Sequence, residues 1–583
     1  MDNLFYSNEK NVLILLALLK ANGIKKIIAS PGATNFCFVG SIQNDPYFEV
    51  YSCVDERSAA YMACGLAAES GEPVVLTCTG STASRDYYPG LTEAYYRKLP
   101  ILAITSHQGK DRIGHLLPQN IDRSVTANDV VRFATELPVV KDDRDEYFVT
   151  IEANKAILEL TRNGGGPVHI NLYTSYSRDF SVKELPSVKV MHRYNAWDNL
   201  PDISASKIAV YVGAHMTFSN NQVKAIERFC ATYDAFVICD HTSGYYGKYR
   251  LLPTLAHLQV NAMPPMGTLD LMIHIGEVSA TTFLQSCKAK EVWRVSEDGE
   301  IRDTFKKMTN IFQMSEEFFF NHYGKEGSDK HSVIDALTSK YAEVYDSIPE
   351  LPFCNIWAAQ KLSERLPNGS LIHISTSNTR RCWNMFPLPD GVTSSCNVGC
   401  CGIDGCTSTL VGASLVDSKR ICYIVTGDLA FFYDLNVIGN RHIGNNVRIL
   451  VTNNGLGAEF RLYHHYCHTF GSDANKYMAA AGHNGNKNPH LLRNIAENLG
   501  YKYLTASTKE EYINALSEFT NPKVENSMIL EIFTEPENES DALKAMTQIS
   551  SDVQGALKHQ VVKGIKSVAG KEGLSVVKKI FGK

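Results

Sequence analysis

The chain has 583 residues, of which 44% are hydrophobic and 20% are charged, and its formal net charge is −5. This composition is typical of a globular protein of several domains and gives no reason to expect nucleic-acid binding. The 15 cysteines are odd in number, scattered and without metal-ligand spacing, so we expect a reduced, cytoplasmic compartment instead of a disulfide framework.

Residues 1–185 form the first predicted α/β block, which opens with the apolar run 12–19. This run is too short to span a membrane, and the residues before it include Asp2 and Glu9 instead of a basic cluster, so we predict a core helix. The apolar, β-branched runs that predict strands in this block are 26–29, 74–78, 101–105 and 166–173.

Two further α/β blocks follow the segment 187–202, which lacks a hydrophobic period and contains Pro201, as linkers do. Block 203–335 has predicted strands at 208–212, 235–239, 271–275 and 292–295. Block 350–537 has predicted strands at 423–426, 447–452 and 528–533, and a predicted helix at 434–443. The alternation of strands and helices predicts the α/β class, with three doubly wound parallel-sheet domains.

Glu56 is the first candidate functional residue of the chain. It stands just before a helix predicted over 58–69 and follows a β-rich run. A carboxylate at the start of a helix stabilises that helix through its dipole, and this structural role alone would account for Glu56.

A more informative segment joins Asp428 to Asn453 and Asn454. Asp428 follows strand 423–426, and strand 447–452 delivers the two asparagines to the same edge of the sheet. Ligands of such parallel sheets bind at the carboxyl ends of the strands. A carboxylate and a carboxamide are hard oxygen ligands that suit Mg²⁺, which takes its other ligands from phosphate and water. The alternative is a buried crossover with a capping aspartate and a turn of asparagines.

Eight short motifs lie in order between residues 10 and 535: 30–32, 55–57, 88–89, 119–122, 166–171, 402–405, 427–436 and 451–454. In these motifs the chain resembles the thiamine diphosphate (ThDP) enzymes of the decarboxylase and acetolactate-synthase superfamily. Within it the chain is most similar to the SEPHCHC synthase family, whose members decarboxylate 2-oxoglutarate and add the product to isochorismate. The resemblance implies a pyrimidine-binding domain at 1–185, a central domain at 203–335 and a diphosphate-binding domain at 350–537.

The resemblance also implies a cofactor site in the third block. Asp428, Asn454 and the backbone carbonyl of Leu456 would hold Mg²⁺ against the diphosphate of ThDP. Gly427 and Leu429, which flank the aspartate, would belong to the same cofactor site.

Three more residues acquire roles through the resemblance. Glu56 would hydrogen-bond a ring nitrogen of the aminopyrimidine and so activate the cofactor. Ile403 would be the apolar wedge that bends ThDP, a task that suits a branched side chain with few rotamers. Gln119 would face the reacting carbon, although a polar loop residue is commonly just exposed. Because the glutamate and the diphosphate site come from different subunits in this superfamily, a homodimer or homotetramer with shared active sites is implied.

Three positions depart from the SEPHCHC synthase pattern. Thr34 replaces an arginine that binds the acceptor's carboxylate, Val398 replaces one that binds the donor's distal carboxylate, and Ile113 replaces a third. None of these side chains can bind a carboxylate bidentately, so we expect neither 2-oxoglutarate nor isochorismate as natural substrate. Segments that could supply replacement groups contain His107, His115, Arg85, Arg380 and Arg381.

We therefore expect a ThDP- and Mg²⁺-dependent transferase or lyase. It would decarboxylate a 2-oxo acid donor and transfer the acyl-anion equivalent to an acceptor other than isochorismate. Three alternatives stay open: a simple decarboxylase that releases an aldehyde, an authentic SEPHCHC synthase, and a non-catalytic paralogue that acts as scaffold or sensor. No G-x-G-x-x-G motif follows a strand, which disfavours a nicotinamide enzyme and leaves the central block without a nucleotide motif.

Residues 555–583 form a tail with seven lysines and one glutamate. Its apolar residues recur at helical spacing, which predicts a basic amphipathic helix able to lie on an anionic membrane surface. The protein would then be cytoplasmic and peripheral on the inner face of the membrane, beside a membrane-linked or surface-glycan pathway. A solvated end, or a helix packed on a partner subunit, is the alternative.

Overall fold

A computed structural model describes residues 5–549, except 261, 263, 279–286 and 523–525. The predicted amphipathic tail at 555–583 lies outside these residues. Every helix in the described part of the chain is too short or too polar to cross a lipid bilayer.

The strands alternate with helices along most of the chain. The strands are β1 (Lys26–Ala29), β2 (Glu49–Ser52), β3 (Val74–Thr79), β4 (Ile101–His107), β5 (Phe133–Leu137), β6 (Val168–Tyr173), β7 (His192–Asn195), β8 (Ile208–Val212), β9 (Phe236–Ile238), β10 (Arg250–Leu251), β11 (Thr268–Ile275), β12 (Lys288–Ser296), β13 (Met308–Gln313), β14 (Leu371–Ile374), β15 (Thr393–Ser395), β16 (Cys422–Gly427), β17 (Val447–Asn453), β18 (Lys502–Ala506) and β19 (Met528–Phe533). The α-helices are α1 (Lys10–Ala21), α2 (Phe36–Gln43), α3 (Glu56–Ser70), α4 (Ala83–Asp86), α5 (Tyr88–Arg97), α6 (Asp143–Glu159), α7 (Asn220–Tyr233), α8 (Thr254–His257), α9 (Glu316–Tyr323), α10 (Ser332–Asp346), α11 (Asn355–Ser363), α12 (Asn378–Trp383), α13 (Cys406–Ser414), α14 (Asp428–Tyr433), α15 (Ala474–Tyr477), α16 (Leu491–Asn498), α17 (Lys509–Phe519) and α18 (Pro536–Met546).

The strands form three sheets, which confirms the predicted α/β class. Their orders are β2-β1-β3-β4-β6-β5, β10-β9-β8-β11-β12-β13-β7 and β15-β14-β16-β17-β19-β18. The first and third sheets are parallel throughout and repeat one strand order. In both sheets the second strand in chain order pairs on one side of the first strand, and the third strand pairs on its other side. This reversal places a switch point between β1 and β3 in the first sheet and between β14 and β16 in the third. Ligands of parallel sheets bind outside the carboxyl ends of the strands at such points.

The described residues form two compact units. The first extends to Arg193 and includes Thr309–Ile311, and the second contains the other residues from Tyr194 onward. The bounds of the three predicted domains stay predictions.

The interiors of the sheets explain why their central strands were predictable. Every residue of β4 and of β17 is buried. Parallel strands covered on both faces are continuous apolar runs, which is the pattern that the sequence presents. The core helix predicted from the run 12–19 is confirmed as α1, whose residues from Asn11 to Leu19 are all buried.

The linker predicted at 187–202 is wrong for four of its residues. His192–Asn195 forms β7, the last strand in the order of the second sheet. Its residues are exposed or half-buried. A short polar edge strand has no hydrophobic alternation by which a sequence could reveal it.

The helix predicted at 434–443 is also wrong in position. The helix α14 begins at Asp428 and ends at Tyr433, and a 3₁₀ turn follows over Leu435–Gly439. Asp434, the residue after α14, accepts hydrogen bonds at 2.6 and 2.5 Å from the backbone N–H and the hydroxyl of Ser408. These bonds hold Asp434 outside the helix and so account for its end at Tyr433. Asp428 is the first residue of the helix and directly follows β16.

Burial of histidines makes the stability of the fold depend on pH. Burial lowers the pKa of six histidines from the usual 6.5 to about 4 or about 3: His107, His169, His241, His257, His274 and His373. The unfolded chain binds protons at these sites below about pH 6.5 and the folded chain does not, so they lower stability as the pH falls. The buried carboxyls of Asp428 and Glu539, whose pKa rises to about 7, act in the opposite sense.

One histidine allows this effect to be isolated. The Nε2 atom of His257 lies 2.8 Å from the hydroxyl of Tyr341, and the side chain is buried. We expect His257→Gln to reduce the pH dependence of the free energy of unfolding by about 1 kcal/mol per pH unit between pH 6.5 and 5. Urea-unfolding curves across this range measure the slope. The exposed His483 provides the matched control, His483→Gln, and equal slopes for the two variants would contradict the prediction.

Candidate active site

A cavity of about 200 Å³ lies at the carboxyl ends of β14, β16 and β17. Six residues predicted for cofactor or metal binding line it: Ile403, Gly427, Asp428, Leu429, Asn454 and Leu456. The loop 375–377 and the start of α12 form another part of the wall. This is the switch point of the third sheet, where a ligand is expected.

Asp428 is a buried carboxyl group in the wall of the cavity. Burial raises its pKa to about 7 although backbone N–H groups, among them that of Gly455 at 3.0 Å, donate to it. A carboxylate whose desolvation outweighs its hydrogen bonds is stabilised by a cation. Beside it, a Cβ atom placed on Gly427 would meet nothing within 4 Å, so there is open space for a ligand next to the carboxylate. The residues present therefore fit a cation that carries an anionic ligand.

The two adjacent asparagines have different surroundings. The Nδ2 of Asn453 donates to Oε1 of Glu531 at 2.6 Å, and Glu531 is fully buried with a pKa raised by burial. Asn454 lines the cavity, and its Oδ1 accepts a 3.4 Å hydrogen bond from the backbone N–H of Leu456. Asn453 is therefore committed to the core, whereas Asn454 presents its amide where a metal ion would bind.

The opposite wall contains a strained residue that the sequence did not single out. Ser377, at the start of α12, has φ of 61°, in the left-handed region that non-glycine residues rarely adopt. Such strain is concentrated at functional sites. The neighbouring hydroxyl of Thr376 donates to the backbone carbonyl of Cys401 at 3.3 Å, two residues before Ile403. A Ser/Thr-rich turn directly after the apolar run of β14 is the signal that could have indicated this wall.

Val398 is a buried residue in a loop that is otherwise exposed or half-buried, and Arg380 approaches this loop. Its side chain is buried, and its backbone carbonyl is 3.4 Å from the Sγ of Cys401. The same sulfur lies 3.8 Å from Nη1 of Arg380. Arg381 forms an ion pair with Glu459 at 2.5 Å, whereas no carboxylate of the described chain pairs with Arg380. Of the two arginines, Arg380 forms no ion pair with the described residues, although its charge acts on the buried carboxyl of Asp240.

Glu56 lies at the carboxyl edge of the first sheet, in the other compact unit. It is the first residue of α3, whose N-cap Asp55 accepts a hydrogen bond from the backbone N–H of Ser58 at 2.7 Å. The side chain is half-buried. This placement suits both a partner for the helix dipole and a group that binds a cofactor, so its role stays a prediction.

Two of the tentative substrate residues, Thr34 and His107, meet at the carboxyl end of β4. The hydroxyl of Thr34 donates to the backbone carbonyl of Ser106 at 2.6 Å. His107 is buried against the ring of Tyr173 at 4.4 Å, and its Nδ1 accepts from the backbone N–H of Gly109 at 3.3 Å. Burial lowers the pKa of His107 to about 4, so the ring is neutral at pH 7.

Gln119 and His115 lie on the loop after β4 with exposed side chains. Gln119 has φ of 66°, again in the left-handed region. The strain marks this residue as unusual, but it brings the side chain into no hydrogen bond that would define a role. Its assignment stays a prediction.

Known proteins resemble this chain over most of its length. A family model described as the thiamine pyrophosphate enzyme, N-terminal TPP binding domain, matches residues 12–126. The chain is 30% identical over 570 residues to the 2-succinyl-5-enolpyruvyl-6-hydroxy-3-cyclohexene-1-carboxylate synthase of Bacteroides fragilis, covering 92% of this chain and 98% of that protein. The synthases of the same name from Phocaeicola vulgatus and Flavobacterium psychrophilum are 30% and 26% identical, over 92% and 89% of this chain and 98% and 97% of theirs.

The asparagine pair provides a matched test of the metal site. We expect Asn454→Ala to weaken the binding of Mg²⁺ in the presence of ThDP by about tenfold or more, with little change in stability without cofactors. We expect Asn453→Ala to cost about 1–3 kcal/mol of stability, because it removes a partner from the buried Glu531. Mg²⁺ titrations followed by melting temperature measure both effects. A weakened metal affinity in Asn453→Ala alone would contradict the assignment.

Proposed function

The chain belongs to the thiamine diphosphate enzyme family of the 2-succinyl-5-enolpyruvyl-6-hydroxy-3-cyclohexene-1-carboxylate (SEPHCHC) synthases, and on that premise we propose that it decarboxylates a 2-oxo acid and joins the remaining acyl unit to an acceptor other than isochorismate. ThDP and Mg²⁺ are the cofactors of this family. The observation that carries the proposal is the cavity at the third switch point, where the buried Asp428 and the amide of Asn454 converge.

The residues of this cavity support an assignment of roles. Asp428, Asn454 and the backbone carbonyl of Leu456 would hold Mg²⁺, and the open space beside Gly427 would admit the diphosphate. Ile403, on the wall, would orient the cofactor. ThDP, when bound, accepts the electron pair that decarboxylation releases. The protein would orient the 2-oxo acid, exclude water and position the acceptor, so that the acyl-anion equivalent reacts with the acceptor and not with a proton.

A homodimer or homotetramer would complete the site, by combining Glu56 of one protomer with the diphosphate site of its partner. Five large apolar side chains around Glu56 are substantially exposed: Val50, Tyr51, Val54, Tyr61 and Met62. An exposed apolar patch of this kind on a soluble fold is typical of a protein interface.

The positions that depart from the SEPHCHC synthase pattern support a different substrate pair. Val398 is buried and apolar, and the hydroxyl of Thr34 is already bonded to a backbone carbonyl, so neither offers a charge to a substrate carboxylate. Arg380 reaches the Val398 loop, with its Nη1 3.8 Å from the Sγ of Cys401, and forms no ion pair with the described residues. We propose that it binds the carboxylate of a 2-oxo acid other than 2-oxoglutarate.

Product analysis tests this function. We expect the full-length protein with ThDP and Mg²⁺ to consume a 2-oxo acid and to form a carbon–carbon bonded product when aldehydes or keto-sugars are added. We expect no SEPHCHC from 2-oxoglutarate and isochorismate, because each lost arginine removes a bidentate carboxylate contact. Glu56→Gln should reduce turnover by about 10²–10⁴-fold.

Each other outcome points to a named alternative. Free aldehyde as sole product would indicate a simple decarboxylase, and robust SEPHCHC formation would contradict the proposed acceptor. If ThDP and Mg²⁺ failed to raise the melting temperature, a scaffold or sensor role would replace the enzyme.

We also propose that the tail 555–583 brings the protein to an anionic membrane surface, beside a membrane-linked or surface-glycan pathway. Its seven lysines against one glutamate support this. We expect the full-length protein to float with vesicles that contain anionic lipid and to be released by salt. A chain that ends at residue 549 should not float, and neutral vesicles serve as control. Equal flotation of the two chains would end the proposal.

A further inference from the structure

We propose that the buried guanidinium of Arg123 recognises an anionic group, carboxylate or phosphate, on the acceptor. The inference rests on the proposed function and deepens it, since it names the chemical class of the second substrate. Arg123 lies directly after the motif 119–122, and its charge has no use in the site described above.

Arg123 is buried with an incomplete set of partners. Only 4% of the residue is exposed, and its Nη1 donates to the hydroxyl of Thr105 at 2.8 Å. Its Nε and Nη2 have no hydrogen-bond partner among the described residues, and no carboxylate of those residues forms an ion pair with it. A buried charge normally has an opposite charge and a full set of hydrogen bonds, because its desolvation is costly. The two free N–H groups therefore point to a ligand.

The groups around Arg123 supply no negative charge. Burial lowers the pKa of His107 to about 4 and that of His169 to about 3, and it raises the pKa of the Cys78 thiol to about 12, so all three are neutral at pH 7. The carboxylate of Asp122 accepts two hydrogen bonds from Ser124 instead. A second cation, Arg85, donates to the backbone carbonyl of Asp122 at 2.7 Å. The local charge is positive and attracts an anion.

The guanidinium lies at the carboxyl ends of β3 and β4 in the first sheet. Gly80 directly follows β3, and a Cβ atom on it would lie 2.5 Å from Nη1 of Arg123 and 2.7 Å from the backbone carbonyl of Ser106. The same carbonyl accepts the hydrogen bond from Thr34. Only a glycine at position 80 thus lets the guanidinium reach the strand ends, beside the residue that replaces an arginine of the family pattern.

A hydroxyl group at the same strand end is also without a partner. The Oγ atom of Ser106 is buried and unbonded among the described residues, and Ser106 lies at the carboxyl end of β4. Hydroxyl donors of this kind complete an anion site that an arginine begins. The positive charge absent at Thr34 is therefore present at Arg123. The acceptor keeps an anionic group, held in a different position from that of the SEPHCHC synthase pattern.

The test compares an anion site with an arginine that merely fills space. The full-length protein is first saturated with ThDP and Mg²⁺, so that the diphosphate site is occupied. Sodium phosphate and sodium succinate are then titrated against sodium chloride of equal ionic strength, and the melting temperature is recorded. The variants are Arg123→Met and Arg123→Lys. The control is Arg97→Met, which removes an exposed arginine that pairs with Glu93.

We expect phosphate or succinate to raise the melting temperature of the wild type and of Arg97→Met by about 2–4 °C more than chloride does. Arg123→Met should lose this rise and Arg123→Lys should keep part of it. Without added anion, Arg123→Met should melt no lower than the wild type, because it removes an unpaired buried charge.

Three results would overturn the proposal: no anion response in the wild type, an equal response in Arg123→Met, or a lower melting temperature of that variant without anion. The last would show a structural arginine. Stabilisation by ThDP and Mg²⁺ should survive in Arg123→Met. Its absence from the wild type would refute the proposed function, separately from the anion site.

Discussion

The buried carboxyl group of Asp428 is the constraint on which the cavity of the third sheet depends. Its burial raises its pKa to about 7, so the charged form is unfavourable until a cation arrives. The groups that would bring the cation into position surround it: the amide of Asn454, the space beside Gly427 and the strained turn at Ser377. A metal ion with its diphosphate would offset the cost of burying this carboxylate, so we expect their binding to stabilise the folded protein.

Central strands were predictable because their signal is local in sequence. Strands β4 and β17 are buried throughout and mostly apolar, and the predicted ligands Asp428 and Asn454 stand directly after β16 and β17. The edge strand β7 was not predictable, because it is short and largely polar, so no period marks it. The helix after Asp428 was misplaced for a related reason. Its end depends on a contact between Asp434 and Ser408, which are distant in sequence.

Arg123 illustrates what a sequence cannot reveal about a substrate site. It lies in a loop that belongs to no strand, and nothing in its spacing indicates that its side chain runs beneath the ends of β3 and β4. Two facts that exist only in three dimensions place it there: the hydrogen bond to Thr105 and the close approach to Gly80. A motif-based comparison finds that an arginine is absent at Thr34, but it does not find the charge that stands beside it.

The repeated strand order of the first and third sheets gives these charges a common explanation. Each of these sheets holds a buried ionisable group at the carboxyl ends of its strands: Arg123 beside β3 and β4, and Asp428 after β16. The carboxyl ends of parallel strands are where loops diverge and a ligand can replace water. The same architecture thus prepares opposite sites, a carboxylate that needs a metal ion and a guanidinium that needs an anion. The family of the chain gives the cofactor, and the charge that we propose for the acceptor depends on the guanidinium of Arg123.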